Sequence, residues 1–346
     1  MKGRAAKLEP FLAPASGAAL AVLAGLLLLA MPFGDRLANA SYDNLFRFGS
    51  RAVTNRVTLI LMDNNAYAAL GQSRGQPWDR ALHARLLNRL ADDGCSLVVF
   101  DVFLRQLRDA TSDKSLATAM RRQKHMALTA WQDTQDDSGI AKVITEWPAD
   151  LFLAACGSTN CGVGWLSGDF DTIVRAHWPF PSPGTDPSLP WVTAQQAGKK
   201  LSAMPRERWL RYYGPSGQWP HLSYGEALAK PANYFRDQIV FIGNWPENTT
   251  PANEPDKFST PYTDWTGQAT GGVEILATEF LNLVNDESLL RPSRATELCL
   301  FIVSGVLLGG SLCRLRGFRW VQWHDAQRTC RCVLRCRFRR RLREQV

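Results

Sequence analysis

Two aspartates, Asp63 and Asp101, each end a short run of apolar residues. These runs, residues 57–62 and 96–100, are typical of strands that are buried on both faces of a parallel sheet. In open α/β sheets, ligands bind outside the carboxyl ends of the strands. Two carboxylates at such an edge could bind a cation or another polar ligand, and the residue types leave open whether that cation is a metal ion.

Three further residues could complete such a site. Trp78 and Arg80 follow the first strand, and Asp256 lies in a loop after a third apolar run that ends at Gly243. If that third strand is adjacent, Asp256 reaches the same edge of the sheet. The candidate ligand-binding residues are Asp63, Trp78, Arg80, Asp101 and Asp256. The alternative is structural, because an aspartate after a strand can cap a helix or pair with an arginine such as Arg80.

Cys156 and Cys161 close a short loop of sequence CGSTNC. An oxidising compartment permits a disulfide between two such cysteines, and we predict one here. The alternative is a pair of free thiols on either side of a turn.

Familiar catalytic motifs do not support an enzyme. The sequence has no HExxH motif, and the glycines of GQSRGQPW (71–78) lack the lysine and hydroxyl of a phosphate-binding loop. We expect a protein that is not an enzyme and that needs no cofactor.

The positive charge of the chain is concentrated at its end. The net charge is +8, yet residues 314–346 contain eleven arginines against Asp325 and Glu344, which leaves the rest of the chain at about −1. Because a nucleic-acid-binding domain needs a basic surface, we expect no nucleic acid as a partner. We interpret residues 314–346 as an Arg-rich cytoplasmic tail, and a frameshift that truncates a longer receptor is one explanation of its composition.

Strand and helix patterns alternate between these candidate residues. Residues 79–94 place leucines on one helical face, residues 113–123 indicate a second helix, and residues 271–286 indicate an amphipathic third. The pattern predicts an α/β fold with a mostly parallel, layered sheet and right-handed crossovers. We expect one domain over residues 41–290.

Two uncharged segments bracket this domain. Each is apolar enough to suggest a transmembrane helix, and we place these helices at residues 15–33 and 295–313. Basic residues flank the outer ends of both, so the N-terminus (1–14) and the tail are expected in the cytoplasm. The alternatives are a signal peptide cleaved after Ala40 and, for the second segment, a buried amphipathic helix.

The order of motifs resembles the CHASE2 family of extracytoplasmic sensor domains from bacterial transmembrane receptors. The resemblance covers about residues 41–290. The motifs that carry it are SYDNLFRF (41–48), GQPWDRALHARLLNRLADDG (75–94), VVFDVFL (98–104), SDKSLATAM (112–120), SGDFDTIVRAHWPF (167–180), YFRDQIVFIGNW (234–245), DKFSTPY (256–262) and GGVEILATEFLNLV (271–284).

The resemblance implies a sensor in the bacterial inner membrane whose main domain is periplasmic or extracellular. Members of the family usually continue into several membrane helices and a cytoplasmic output domain, and a histidine often stands where this chain has Leu276. We therefore expect either a truncated receptor or one that relies on a separately encoded kinase or cyclase. Its other expected partners are the membrane and a small ligand or periplasmic protein, and a homodimer stays open.

Two other functions stay open at this point. One is an envelope scaffold that uses the same domain to bind another protein. The other is a metal-dependent exterior enzyme that uses Asp63 and Asp101.

Overall fold

The structure, a computed structural model, describes residues 9–53, 56–73, 75–137, 140–169, 171–180, 186–201, 208–245, 256–309 and 311. Two compact units are present. The described residues of Met1–Ser41 and Arg291–Val346 form one, and those of Tyr42–Leu290 form the other.

The strands are β1 (Val57–Met62), β2 (Leu97–Asp101), β3 (Met126–Asp137), β4 (Ile140–Glu146), β5 (Cys161–Val163), β6 (Ala176–His177), β7 (Arg208–Trp209), β8 (His221–Ser223), β9 (Ile239–Asn244), β10 (Lys257–Phe258) and β11 (Thr270–Gly271). The α-helices are α1 (Glu9–Ala30), α2 (Pro32–Leu45), α3 (Asn64–Ala69), α4 (Arg80–Asp93), α5 (Ala110–Arg121), α6 (Asp150–Cys156), α7 (Leu189–Gln196), α8 (Tyr224–Ala229), α9 (Thr263–Thr266), α10 (Gly272–Val284) and α11 (Arg294–Ser304). A 3₁₀ turn spans Ser158–Asn160 and a π-helical turn spans Gly305–Gly309.

The smaller unit, formed by the two ends of the chain, contains α1, α11 and the first part of α2. None of the helices in the described part of the chain is long and apolar enough to cross a membrane. The Arg-rich tail, residues 312–313 of the second predicted span and residues 1–8 lie outside the described residues.

A seven-stranded sheet forms the centre of the larger unit. Its order is β4-β3-β2-β9-β1-β8, and β5 pairs with β3 as a branch. Every pairing in it is parallel except that of β3 with β4. This confirms the predicted α/β fold with a mostly parallel sheet, whereas the antiparallel β3–β4 hairpin was not predicted.

Successive strand residues point to opposite sides of the sheet. Because both sets are apolar and buried in the central strands, helices cover both faces. On one face, Ile60, Phe100 and Ile242 pack in a core with residues of α4 and α5. On the other face, Leu59 and Phe241 pack with residues of α7 and α10. The layers are therefore helix, sheet and helix.

Helix α10 is buried on more sides than its sequence pattern indicated. The sequence indicated an amphipathic helix, but all residues from Gly272 to Leu283 are buried. Sheet residues cover one side of α10, and Tyr212 and Tyr262 pack with its Ile275 in a third apolar cluster. These loop residues bury the side of α10 that faces away from the sheet.

Arg175 lies next to this third cluster and is almost fully buried. Its guanidinium pairs with the carboxylates of Asp43, Asp169 and Asp171 at 2.6–2.8 Å. Asp43 is on the last part of α2, so these ion pairs attach that end of the helix to the interior of the larger unit.

Candidate functional site

The position of β9 brings the ends of three strands together. It pairs with β1 on one side and β2 on the other, although it comes last of the three in sequence. In the register, Gly243 lies beside Asp101, and Asn244 lies beside Met62. The polar residues at the carboxyl ends of β2 and β9 therefore share one edge of the sheet.

The Asp101 carboxyl occupies space that two glycines leave open. A Cβ at Gly243 would lie 3.4 Å from Asp101 Oδ2 and 2.8 Å from the Val273 Cβ, and a Cβ at Gly164 would lie 3.3 Å from Asp101 Oδ1. A larger residue at either position would crowd this carboxyl.

A cavity of about 440 Å³ opens at this edge, and we call it the acidic cavity. Asp101, Asn244, Asp256 and Lys257 line it, together with residues at the start of α10. Aromatic side chains line other parts of it, namely those of Phe103, Trp131, Trp165 and Phe258. The rings of Phe103 and Trp131 lie 6.3 Å apart between centroids.

Asp256 is held in position by its backbone and by Asn244. Its φ angle is +67°, a left-handed conformation that aspartate tolerates better than most residues. Asn244 Nδ2 donates to Asp256 Oδ2 at 3.1 Å, and Gly272 N donates to the Asp256 carbonyl at 3.2 Å. The loop carrying Asp256 is thus joined to both β9 and the first residue of α10.

The acidic cavity changes the ionisation of Asp101. Burial of the carboxyl, reinforced by the negative charge of Asp256, raises the pKa of Asp101 to about 7, against a hydrogen bond from Thr129 that lowers it. At neutral pH the side chain therefore exists in both protonation states, and a bound cation would favour the ionised one.

Asp63 is placed differently from Asp101. It is the N-cap of α3, where its Oδ1 accepts from Ala66 N at 2.8 Å and from Ser223 Oγ at 2.7 Å. It lies outside the lining of the acidic cavity. The helix-capping alternative proposed for the two acids thus describes Asp63.

Trp78 and Arg80 line a second cavity of about 200 Å³, which we call the basic cavity. Arg80 is almost fully buried and pairs with Asp113, so its carboxylate partner is neither Asp63 nor Asp101. Trp78 packs edge-to-face on Tyr67 and Tyr224. The structure therefore divides the five candidates among an acidic cavity (Asp101, Asp256), a basic cavity (Trp78, Arg80) and a helix cap (Asp63).

The sequence reasoning missed several lining residues. Asn244 is the first polar side chain after the apolar run 238–243, so the rule that selected Asp63 and Asp101 would have selected it as well. Trp131 and Trp165 had no such signal, because the rule selects polar residues after a strand and both are aromatic.

Residues 71–75 read G-x-S-x-G, the letter pattern of a hydrolase nucleophile elbow. That elbow needs a serine on the turn between a strand and a helix. Here the segment follows helix α3, and the next element is helix α4. The pattern has the letters but not the structural context of a nucleophile.

Cys156 and Cys161 are free thiols in the structure. Cys156 ends α6, Cys161 begins β5, and a hydrogen bond between the two side chains together with burial raises the pKa of Cys156. A disulfide between them stays a prediction. Among the described residues, no group of three or more His, Cys, Asp or Glu side chains is arranged to hold a metal ion.

The two cavities lie at the carboxyl edge of a mostly parallel sheet, the position at which open α/β folds bind ligands. The family follows from comparison with family models. A model described as the CHASE2 domain matches residues 18–311, so the chain belongs to the CHASE2 family, whose domain is an extracellular sensory domain. Comparisons with curated proteins and with solved structures found no match.

Proposed function

We propose that this chain is the sensory part of a membrane-anchored bacterial receptor, and that it binds a small organic cation in the acidic cavity. The observation that carries this proposal is the meeting of Asp101 and Asp256 around Asn244 at the carboxyl edge of the sheet. Above pH 7 these two carboxylates outnumber the one lysine of the lining, Lys257, and leave a net negative charge that a cation would neutralise.

The walls and the size of the acidic cavity suit the same ligand. Aromatic ring faces attract organic cations through their quadrupoles, by about 0.5–2 kcal/mol per contact. The volume of about 440 Å³ lies within the usual range of small-molecule sites.

Helix α10 is the element that would respond to the ligand. Gly272, Val273 and Leu276 line the acidic cavity, and Gly272 N is bonded to Asp256. A ligand that favours one position of Asp256 would therefore favour one position of α10. Such a shift requires the ligand to bind the two positions with different affinity.

The proposed receptor is anchored in the inner membrane by helices at residues 15–33 and 295–313, with the sensory domain periplasmic. The support is the uncharged sequence of both segments and the basic residues outside them. A separately encoded kinase or cyclase would supply the output, and homodimerisation of the receptor is part of the same proposal.

Calorimetric titration of the full chain in detergent micelles with 1,5-diaminopentane tests the ligand class. We expect binding that is tighter at pH 8 than at pH 6, because the pKa of Asp101 is about 7 and the ionised form attracts the cation. Asp101→Asn should weaken binding by about tenfold or more, equivalent to about 1.4 kcal/mol.

The matched control is Asp264→Asn, which makes the same chemical change at an exposed residue of α9. It should bind the diamine as the wild type does. The proposal fails if the wild type does not bind the diamine, or if Asp101→Asn and Asp264→Asn bind it equally well.

A further inference from the structure

The basic cavity holds more positive than negative charge. Arg80 and Arg108 both line it, and Asp113 is the carboxylate that faces them. His83, which also lines it, is neutral at physiological pH, because burial and the two arginines lower its pKa to about 3. The cavity therefore carries a net charge of about +1, which suits an anion.

Both carboxylate oxygens of Asp113 already accept a hydrogen bond. Its Oδ1 accepts from Arg80 Nη1, and its Oδ2 accepts from Arg108 N at 2.7 Å. The Arg108 guanidinium donates to the Trp78 carbonyl across a long 3.4 Å. Among the described residues this is the one hydrogen bond that the Arg108 guanidinium donates, so its other N–H groups can donate to a ligand.

Two buried donors of the basic cavity lack partners. Trp78 is 5% exposed and Arg80 is 2% exposed. The indole Nε1 of Trp78 and the Nε of Arg80 have no hydrogen-bond acceptor in the described part of the chain. Because a buried donor without a partner costs about 1–3 kcal/mol, an acceptor supplied by a ligand would recover part of that cost.

The acidic and basic cavities share two lining residues. Phe103 and Asn244 line both of them. A cavity with two carboxylates in its lining and a cavity with two arginines in its lining are therefore next to each other at the same edge of the sheet. A small molecule with an ammonium group at one end and a carboxylate at the other would complement both cavities.

We propose that the two cavities form one site for a zwitterion, with its ammonium group at Asp101 and Asp256 and its carboxylate at Arg108 and the Trp78 indole N–H. This inference rests on the proposed function, since it assigns the cation of that proposal to one end of the ligand. A carboxylate suits the basic cavity because its two oxygens can accept from an arginine fork and from a neighbouring N–H.

Three probes with the same five-carbon chain test this assignment on the full chain in detergent micelles. They are 5-aminopentanoate, which has both charges, 1,5-diaminopentane, which has only positive charge, and glutarate, which has only negative charge. Glycine, 4-aminobutanoate and 6-aminohexanoate extend the series in length. We expect at least one amino acid of the series to bind about tenfold tighter than both the diamine and glutarate.

Arg108→Gln should weaken binding of the best amino acid about tenfold and should not weaken diamine binding, because it removes the anion contact together with a positive charge that repels the second ammonium group. Arg108→Lys should restore part of the loss. Arg85→Gln, the same change at an exposed position of α4, is the matched control and should bind as the wild type does.

A spectroscopic measurement follows the Trp78 donor directly. In protein labelled with ¹⁵N-tryptophan, one indole N–H resonance should move downfield with the amino acid and stay unchanged with the diamine. Trp78→Phe assigns that resonance, and if this variant does not fold, calorimetry of the Arg108 variants carries the test.

The outcomes separate the two proposals. Equal affinity for the diamine and every amino acid, with no effect of Arg108→Gln, overturns the zwitterion and leaves the cation site standing. Tightest binding of glutarate also overturns the zwitterion. If no amine or amino acid binds, both proposals fail.

Discussion

The carboxyl ends of β1 and β2 have the same sequence signature and different roles. Each strand is a buried apolar run that ends in an aspartate. Asp63 is bonded to the first turn of α3, whereas the Asp101 carboxyl faces the acidic cavity. The comparison teaches that the segment after the strand decides what the acid does.

That segment begins a helix at once in the first case. Helix α3 starts at Asn64, so its free N–H groups lie within reach of Asp63. After β2 no helix begins before Ala110, and Gly164 and Gly243 leave room beside the carboxyl. The carboxylate of Asp63 therefore accepts hydrogen bonds from the fold, while the burial of Asp101 raises its pKa.

Replacement of Asp101 should produce the largest effect and should stabilise the protein above neutral pH. The pKa of Asp101 in the fold, about 7, is above its ordinary value of 3.8, so stability that is present below pH 4 is lost as the pH rises through 7. Asp101→Asn removes that loss, and we expect a gain on the order of 2–4 kcal/mol at pH 8 and little change at pH 4.

Urea unfolding of wild type and Asp101→Asn at pH 4, 6 and 8 measures this effect. Asp63→Asn should show no such gain, because asparagine keeps the capping oxygen. Destabilisation by Asp101→Asn at all three pH values would show that the carboxylate holds the fold together and would break the comparison.

Gly243→Ala should have the next largest effect. The new Cβ would lie 2.8 Å from the Val273 Cβ, an atom on the first turn of α10 that has no freedom to rotate away. We expect a loss of about 1–3 kcal/mol in the free energy of unfolding and weaker binding of the amine probes.

Gly49→Ala is the control for this change, since nothing lies within 4 Å of the position that its new Cβ would take. It should alter stability by less than about 0.5 kcal/mol. Equal stability of both alanine variants would show that β9 and α10 move apart freely at Gly243.

The smallest effect is expected for the capping acid. Asp63→Ala removes the acceptor of Ala66 N and of the Ser223 hydroxyl, so it should destabilise the protein by about 1 kcal/mol. Amine binding should be unchanged, because Asp63 is outside the lining of the acidic cavity. If Asp63→Ala loses amine binding and keeps its stability, Asp63 is part of the ligand site and has the same role as Asp101.

Much of the fold could be predicted because its signals are local. Strands β1, β2 and β9 are apolar runs of the length of a buried strand, and α4 repeats its leucines at helical spacing. The β3–β4 hairpin was missed because residues 132–137 of β3 are polar and lack the apolar pattern of a buried strand. Helix α10 was predicted correctly as a helix, but the burial of both its sides was not predicted, because the loops that bury the second side are distant in sequence.

The candidate site could be predicted less completely. The carboxyl-edge rule found Asp101 and Asp256, but it gave Asp63 equal standing because the rule does not consider where the next helix begins. Arg80 was expected near those acids, whereas its partner Asp113 comes from the first turns of α5. Arg108 had no signal at all.

The sequence by itself determined the buried strands, the acids at their ends and membership of the CHASE2 family, because each depends on residues close together in the chain or on their order. Only the tertiary structure decided that β9 lies between β1 and β2, and that Asp113 pairs with Arg80. These features depend on pairings between segments that are far apart along the chain. Such pairings follow from how whole layers pack, and no local pattern records them.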